Sequence, residues 1–141
     1  DATPLDAGKI GAILSEFSEH TQWMPQLHSK AEDIHFCDRM ISKNWVRVYA
    51  DPEIKGFIAK NGPDIVSLYV GFAYHRSGIA SALIHDARTH AHDLNLWTFQ
   101  KNKAARQFYR AMGFHEIATT DGLQNDEGLP DIKFQWKRHS A

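Results

Sequence analysis

Ile65-Val66-Ser67-Leu68-Tyr69-Val70-Gly71-Phe72-Ala73-Tyr74-His75-Arg76-Ser77-Gly78-Ile79-Ala80-Ser81-Ala82-Leu83 is the stretch that decides the fold. Its first six residues are nearly all apolar and rich in β-branched side chains, the pattern of a central strand covered on both faces. From Gly78 the period changes. Ala80, Leu83, Ile84, Ala87 and Ala91 fall on one helical stripe, with His85, Arg88 and His92 off it, so the spacing predicts a helix over 78–91. A buried strand therefore feeds a short loop that opens a helix. At such a junction the first helical N–H groups lack backbone acceptors and the peptide dipoles leave a partial positive charge, which suits phosphate oxygens. Gly78 lets a ligand approach the backbone closely, and His75 and Arg76 stand where side-chain donors could reach the same anion. Small residues at a helix start also serve close packing on a sheet, so this stretch alone leaves both readings open. It lacks the Gly-Lys-Ser/Thr of a Walker loop and the three spaced glycines of a dinucleotide fingerprint.

Upstream, Asp6 reads as the N-cap of a first helix carrying Ile10, Ile13, Leu14 and Phe17 at helical spacing, and 31–42 as a second helix. The segment 20–30, with Pro25, reads as a loop. Strands are predicted over 45–49 and 54–59, closed by Asp51-Pro52 and Asn61-Gly62-Pro63. Downstream, 94–99 is a strand, 102–112 a helix with Gly113 at its left-handed terminus, and 114–119 and 132–137 are strands around a polar loop, 121–130. Helices come first, a three-strand meander follows, and strand–helix units close the chain. The expected class is α/β, layered, with a mixed, mostly antiparallel central sheet flanked by helices.

The chain has 141 residues with 43% hydrophobic and 23% charged side chains, which argues for one globular domain over 1–141. Sixteen Lys+Arg against seventeen Asp+Glu leave a net charge of -1, unlike a nucleic-acid binder working through bulk charge. Cys37 is the one cysteine, so neither a disulfide framework nor a zinc–thiolate cluster is expected. No apolar run approaches a membrane span. The N-terminus lacks both a starting Met and the basic-then-apolar pattern of a signal peptide, so the expectation is a chain trimmed at this end and a cytoplasmic setting.

A second constellation follows the next strand: Asn102-Lys103-Ala104-Ala105-Arg106-Gln107-Phe108-Tyr109-Arg110-Ala111-Met112-Gly113-Phe114. With it the chain resembles the GNAT superfamily of N-acetyltransferases. His75-Arg76-Ser77-Gly78-Ile79-Ala80 is similar to the family's Gln/Arg-x-x-Gly-x-Gly/Ala. Asn102, Ala105, Phe108, Tyr109, Gly113 and Phe114 match its Asn-x-x-Ala-x-x-Phe-Tyr-x-x-x-Gly-Phe. The resemblance implies a GNAT-like acyl-CoA N-acyltransferase fold with acetyl-CoA as co-substrate and no metal. Leu68, Tyr69 and Val70 would present backbone groups to the pantetheine arm between splayed strands. His75, Arg76, Ser77, Gly78, Ile79, Ala80 and Ser81 would cradle the pyrophosphate; Asn102 and Ala105 would lie along the cofactor arm, with Tyr109 near its sulfur. Two departures stand out. His75 replaces the usual Gln or Arg, and Phe72 occupies a position often held by Pro.

The implied reaction moves an acetyl group from a thioester to a primary amine by direct attack. It needs a neutral amine, a donor for the developing oxyanion, for which the Val70 N–H is suited, and a proton for the leaving thiolate. Tyr109 is the candidate acid; without the resemblance it would read as a core aromatic beside Phe108. Asp64, at the start of the central strand, is the candidate base acting through water, or else a solvated turn residue. Asp126 and Glu127 could attract a cationic substrate or simply be solvated. His85, His90 and His92 do not make a helical ligand pair. Cys37 reads as core, as do Trp45, Trp97 and Trp136, while Trp23 could roof an acceptor pocket. A small-molecule or protein amine is the implied partner, with no nucleic acid or membrane, and the resemblance is compatible with a homodimer. The alternative is a non-catalytic acyl-CoA-sensing module. The acceptor itself has no motif in the sequence.

Overall fold

Four helices and six strands follow one another in the computed structural model, which describes residues 1–21, 23–25 and 27–138. Helices α1 (Ala7–His20) and α2 (Lys30–Ser42) come first, then the meander β1 (Val46–Ala50), β2 (Ile54–Asn61) and β3 (Asp64–Val70). Helix α3 (Ile79–Thr89), β4 (Asp93–Phe99), α4 (Lys103–Ala111), β5 (His115–Thr120) and β6 (Asp131–Lys137) complete the order. Short 3₁₀ turns precede α1 (Pro4–Asp6) and follow β3 (Phe72–Tyr74). The strands form one sheet in the order β1-β2-β3-β4-β6-β5, antiparallel throughout except between β3 and β4. This is the layered α/β class expected.

Local chemistry sets the helix boundaries. The Ser29 N–H donates to Glu32 Oε1 at 2.9 Å and the Glu32 N–H to Ser29 Oγ at 3.2 Å, a reciprocal cap that starts α2. Asp6 occupies the N-cap position of α1, as expected, but its side chain makes no cap bond there and instead closes the preceding turn, where its Oδ2 accepts the Thr3 N–H at 2.7 Å. After α4 the chain turns at Gly113, whose φ of +89° needs a residue without Cβ strain.

The sheet carries two cores. On one face α1 and α2 pack Ile10, Cys37, Met40 and Ile41 against Phe57 and Ala59 of β2. On the other, α3 and α4 pack Leu83, Ile84 and Tyr109 against Ile58, Leu94, Leu96 and Phe134. Helices α1 and α2 lie close together at Gly11, where a Cβ would come within 2.9 Å of the Ile34 Cα. Nearby, Ser15 Oγ donates to the buried Asp33 Oδ2 at 2.6 Å.

Strand β3 departs from the expected uniform coverage. Ser67 pairs with Ala59 but Ile65 with Lys60, so Val66 is an extra, bulged residue. The bulge turns Ile65 into the α3/α4 core while Tyr69 faces α1/α2 and Leu68 and Val70 face α3/α4. Val66 itself is 43% exposed, and the strand covered on both faces is β2, where Gly56, Phe57, Ile58 and Ala59 are all buried.

Candidate functional site

The bulge sits where the sheet opens. The Asn95 N–H donates to Pro63 O at 2.8 Å and Asp64 pairs with Asn95, after which the register between β3 and β4 ends. Beyond this pair the two parallel strands part. A cavity of about 650 Å³ fills the gap, bounded by residues 65–70 of β3 and 96–99 of β4, a volume within the range of small-ligand sites.

The strand edge facing this gap carries free polar backbone. The Gly71 N–H donates to Lys55 O of β2 at 2.9 Å, and Phe57 pairs with Tyr69. In an antiparallel ladder the bonding direction alternates, so the peptide groups of Leu68 and Val70 point away from β2 and into the gap. One is already engaged: the His75 Nε2–H donates to the Val70 carbonyl at 2.9 Å. The Val70 N–H and both peptide groups of Leu68 remain as donors and acceptor for an extended ligand arm.

The loop after β3 forms the cavity's second wall. Arg76 (φ +63°) and Gly78 (φ +85°) are both left-handed, with Ser77 between them, and the Ser77 hydroxyl donates to the Tyr74 carbonyl. Such alternation gathers successive N–H groups into an anion-binding concavity. It leads straight into α3, whose first backbone bond runs from the Ala82 N–H to Gly78 O at 3.0 Å, leaving the N–H groups of the preceding residues free. A Cβ on Gly78 would meet nothing within 4 Å, so the glycine is required by its φ and leaves open space in front of the backbone.

Helix α4 supplies the third wall. Asn102 Oδ1 accepts the Ala105 N–H at 3.1 Å and so caps the helix, which leaves the side-chain NH₂ as the group Asn102 can offer the cavity. Tyr109 is 8% exposed; its ring packs on Phe108, Phe114 and Phe134 at centroid separations of 5.2, 5.5 and 5.9 Å while the residue lines the cavity. The Tyr109 ring belongs to the core, and the residue also lines the cavity. Burial, with Tyr69 nearby, pushes its hydroxyl above the usual phenol range, so it stays protonated.

Of the residues anticipated from sequence, Leu68, Tyr69, Val70, His75, Arg76, Ala80, Asn102, Ala105 and Tyr109 converge on this one cavity. Ser77 and Gly78 are exposed beside it, Ile79 is buried in the α3 core, and the Ser81 hydroxyl contacts Met112 Sδ at 3.6 Å. Asp64 is not brought to the cavity. It is exposed at the foot of β3, where the strands are still paired, below the point at which the gap opens. Cys37 is fully buried in the α1/α2 core, where burial pushes its thiol up to about 12. Trp97, expected as packing, is 49% exposed.

The remaining wall is legible in the sequence only in part, at Trp23 and Glu127, both read there as acceptor-side candidates. Phe17 of α1 packs on Tyr69 at 5.2 Å and lines the cavity; Trp23 stands edge-on to Phe17 at 6.4 Å and to Phe99 at 5.8 Å. Asn125 and Glu127 of the late loop and Asp131 of β6 close the same side. Phe17 is visible in the sequence only as part of an apolar stripe and Asn125 only as a member of the polar loop 121–130, while Asp131 carries no signal there. The cavity therefore draws on both helix layers, with the α3 loop and α4 on one side and α1, Tyr69 and the late loop on the other.

Comparison with known proteins follows this geometry. A family model described as an acetyltransferase (GNAT) domain matches residues 16–138. The chain is 30% identical over 136 residues to the peptidyl-lysine N-acetyltransferase YiaC of Escherichia coli (strain K12), covering 91% of this chain and 90% of that protein. Among solved structures, apo YjaB from Escherichia coli superposes with a TM-score of 0.80 at 15% identity, covering 96% of this chain and 93% of that one. A GNAT acetyltransferase from Bacillus cereus ATCC 10987 gives 0.78 at 19% identity, covering 99% and 95%. YncA from Salmonella typhimurium, solved with its cofactor acetyl-CoA, gives 0.73 at 17%, covering 99% and 94%.

Proposed function

We propose, from the premise that this chain belongs to the GNAT acetyltransferase family, that it transfers an acetyl group from acetyl-CoA to a primary amine by direct attack. The observation that carries this reading is the parting of β3 and β4 after a single pair, around a cavity bordered by the left-handed loop that opens α3. An extended thioester arm fits beside the free peptide edge of Leu68 and Val70, with its diphosphate at the N–H groups of residues 76–81. Arg76 lines the same wall and adds positive charge. The lysine acceptor of the Escherichia coli relative supports the ε-amine of lysine as the acceptor class.

In this mechanism the neutral amine nitrogen forms a bond to the thioester carbonyl carbon, and the carbonyl oxygen takes up negative charge. The Val70 N–H is the donor assigned to stabilise that oxygen. Collapse breaks the C–S bond and leaves the electron pair on sulfur. Tyr109 gives its phenolic proton to the thiolate, and the second nitrogen proton, leaving the new amide, restores Tyr109 through water. The ordinary thiol pKa of about 8.5 makes the sulfur a fair leaving group, and a phenol kept protonated by burial is loaded for this role.

Calorimetric titration with acetyl-CoA, followed by thiol-release assays on a panel of primary amines and lysine peptides, tests the reading. Saturable binding and amine-dependent thiol release are expected. Folded protein giving no heat with acetyl-CoA would overturn the cofactor assignment. Tight binding with no turnover on any amine would leave an acyl-CoA-sensing module.

A further inference from the structure

The side of the cavity opposite the α3 loop carries two carboxylates, and they are not equivalent. Asp131 is committed to holding the late loop in place: its Oδ1 accepts the Thr120 hydroxyl and its Oδ2 accepts the Asn125 side-chain NH₂ at 3.4 Å. Glu127 has no hydrogen bond or ion pair among the described residues, yet it lines the cavity. The cationic side chain that lines the cavity, Arg76, belongs to the α3 loop, as does His75.

The loop that bears Glu127 is built rather than slack. Asn125 donates from its side chain to Leu129 O at 2.7 Å and accepts the Leu129 N–H on Oδ1 at 3.2 Å, bracketing Glu127 in a closed turn. The Gly122 N–H donates to Thr120 Oγ1 at 3.1 Å, and the Gln100 N–H donates to Pro130 O at 2.9 Å, tying the loop base to the end of β4. Gly122 lies against the Leu129 backbone so closely that a Cβ would come within 2.3 Å of the Leu129 carbonyl carbon. A mount of this kind fixes the backbone position of Glu127, the one cavity-lining carboxylate without a partner among the described residues.

From this arrangement we infer that Glu127 is the acceptor-side carboxylate: it seats the ammonium of the incoming amine against the Phe17 and Tyr69 rings and takes its first proton. The inference rests on the acetyl-transfer reading above and names the group that reading lacks, in place of Asp64. The step balances. The ammonium passes one proton to the Glu127 carboxylate and becomes the neutral nucleophile; after transfer Glu127 returns that proton to solvent, which is the single proton the overall reaction releases. Cations favour the faces of aromatic rings, so the ring wall and the carboxylate select the same kind of group, a primary ammonium on a slender alkyl chain. The Tyr69 hydroxyl is pushed up to about 12 first by burial and next by the negative charge of Glu127, which agrees with the two facing a common space. Among the described residues that line the cavity, the remaining titratable groups are Tyr74, His75, Arg76, Tyr109 and Asp131.

Glu127→Gln keeps the shape and removes the charge. The first measurement is binding of N-α-acetyl-lysine amide to the CoA-saturated protein by calorimetry, which needs no turnover. The parent is expected to bind this cation at least tenfold more tightly than the variant, with the gap narrowing in high salt, while acetyl-CoA affinity changes less than twofold. The second is the pH profile of kcat/KM for the same amine. The variant is expected to fall about 100-fold at neutral pH and to recover as pH approaches the amine's own pKa, where no base is needed. Glu127→Asp is expected to retain the tighter cation binding and recover part of the rate. Equal cation affinity in parent and Glu127→Gln overturns the inference, as does equal loss of acetyl-CoA affinity, which would mark a structural role. If the parent binds acetyl-CoA and the cation but releases no thiol, the acetyl-transfer reading fails while the binding arm still decides whether Glu127 seats the cation.

Discussion

The imidazole of His75 and the carbonyl of Val70 are joined by a hydrogen bond of 2.9 Å, so the loop that opens α3 is clasped to the last residue of the strand feeding it. A carbonyl only accepts, so the shared proton lies on Nε2. The ring also meets Phe72 edge-on at 4.8 Å, and the Phe72 N–H donates to Glu16 Oε1 of α1 at 2.7 Å. In the sequence, His75 occupies a motif position where a side-chain phosphate contact is expected. In the structure its side chain clasps the loop to the end of β3, and under the proposed function the anion falls to the backbone N–H groups.

His75→Ala should therefore weaken acetyl-CoA binding through loss of loop order. The loss of one hydrogen bond of about 1 kcal/mol corresponds to roughly fivefold in Kd. His75→Gln, which retains a donor, should recover most of that affinity. Calorimetry on the three proteins checks the order, and an alanine variant that binds as well as the parent would show the clasp to be dispensable.

Tyr109→Phe should separate chemistry from binding. Its ring contacts with Phe108, Phe114 and Phe134 survive the substitution, so the thermal midpoint should move little. Loss of a general acid costs on the order of 10²–10⁴ in rate. We expect kcat to fall by at least 100-fold with acetyl-CoA Kd within twofold. Because burial raises the Tyr109 hydroxyl, the alkaline limb of the parent's rate profile at moderate pH should belong to another group.

Much of this architecture was legible in the chain because it rests on local signals. The strand at 65–70, the stripe from Ala80 to Ala91 and the Asn102–Phe114 segment each carry their own period, caps or spacing, and their order alone points to the layered sheet. What was not legible depends on register. The bulge at Val66 adds one residue to a run whose composition does not change, yet it decides which side chains face which helix layer and lies beside the point where β3 leaves β4. Asp64 and Glu127 are both exposed-looking acids near glycines in sequence. Only the place of the opening, above Asp64 and level with the late loop, separates them.

Alkaline pH should unfold the protein for a stated reason. Cys37 is raised from 9.0 to about 12 and Tyr69 from 10.0 to about 12, with Tyr109 shifted in the same direction, all chiefly by burial. In the unfolded chain these groups lose their protons first, so above the unfolded values the unfolded state binds fewer protons and is favoured. Their contribution is whole below pH 9 and is lost as pH rises from about 9 to 12, with Cys37 acting first. By pH 10 the Cys37 part is on the order of 1 kcal/mol. Urea midpoints should fall from pH 9 upward, and Cys37→Ala, though less stable at pH 7 from the smaller side chain, should show a flatter decline between pH 9 and 10. An equal slope in both proteins would assign the decline elsewhere.

Gly122 offers a test of the late loop that leaves Glu127 itself intact. Its φ is +87°, and an added Cβ would fall 2.3 to 2.7 Å from the Leu129 backbone, so Gly122→Ala must push the two loop strands apart. The Asn125–Leu129 bonds that bracket Glu127 then lose their geometry, while the α3 loop and the Leu68–Val70 edge lie on the other wall and are untouched. The expected result is an acceptor KM raised about tenfold or more, an acetyl-CoA Kd within twofold of the parent, and a stability loss of about 1–3 kcal/mol from the strained turn. Gln124→Ala, at an exposed position in the same loop, serves as the control and should leave all three quantities unchanged. An unaltered acceptor KM in Gly122→Ala, with the stability loss present, would mean that the loop's shape does not govern where the amine is held.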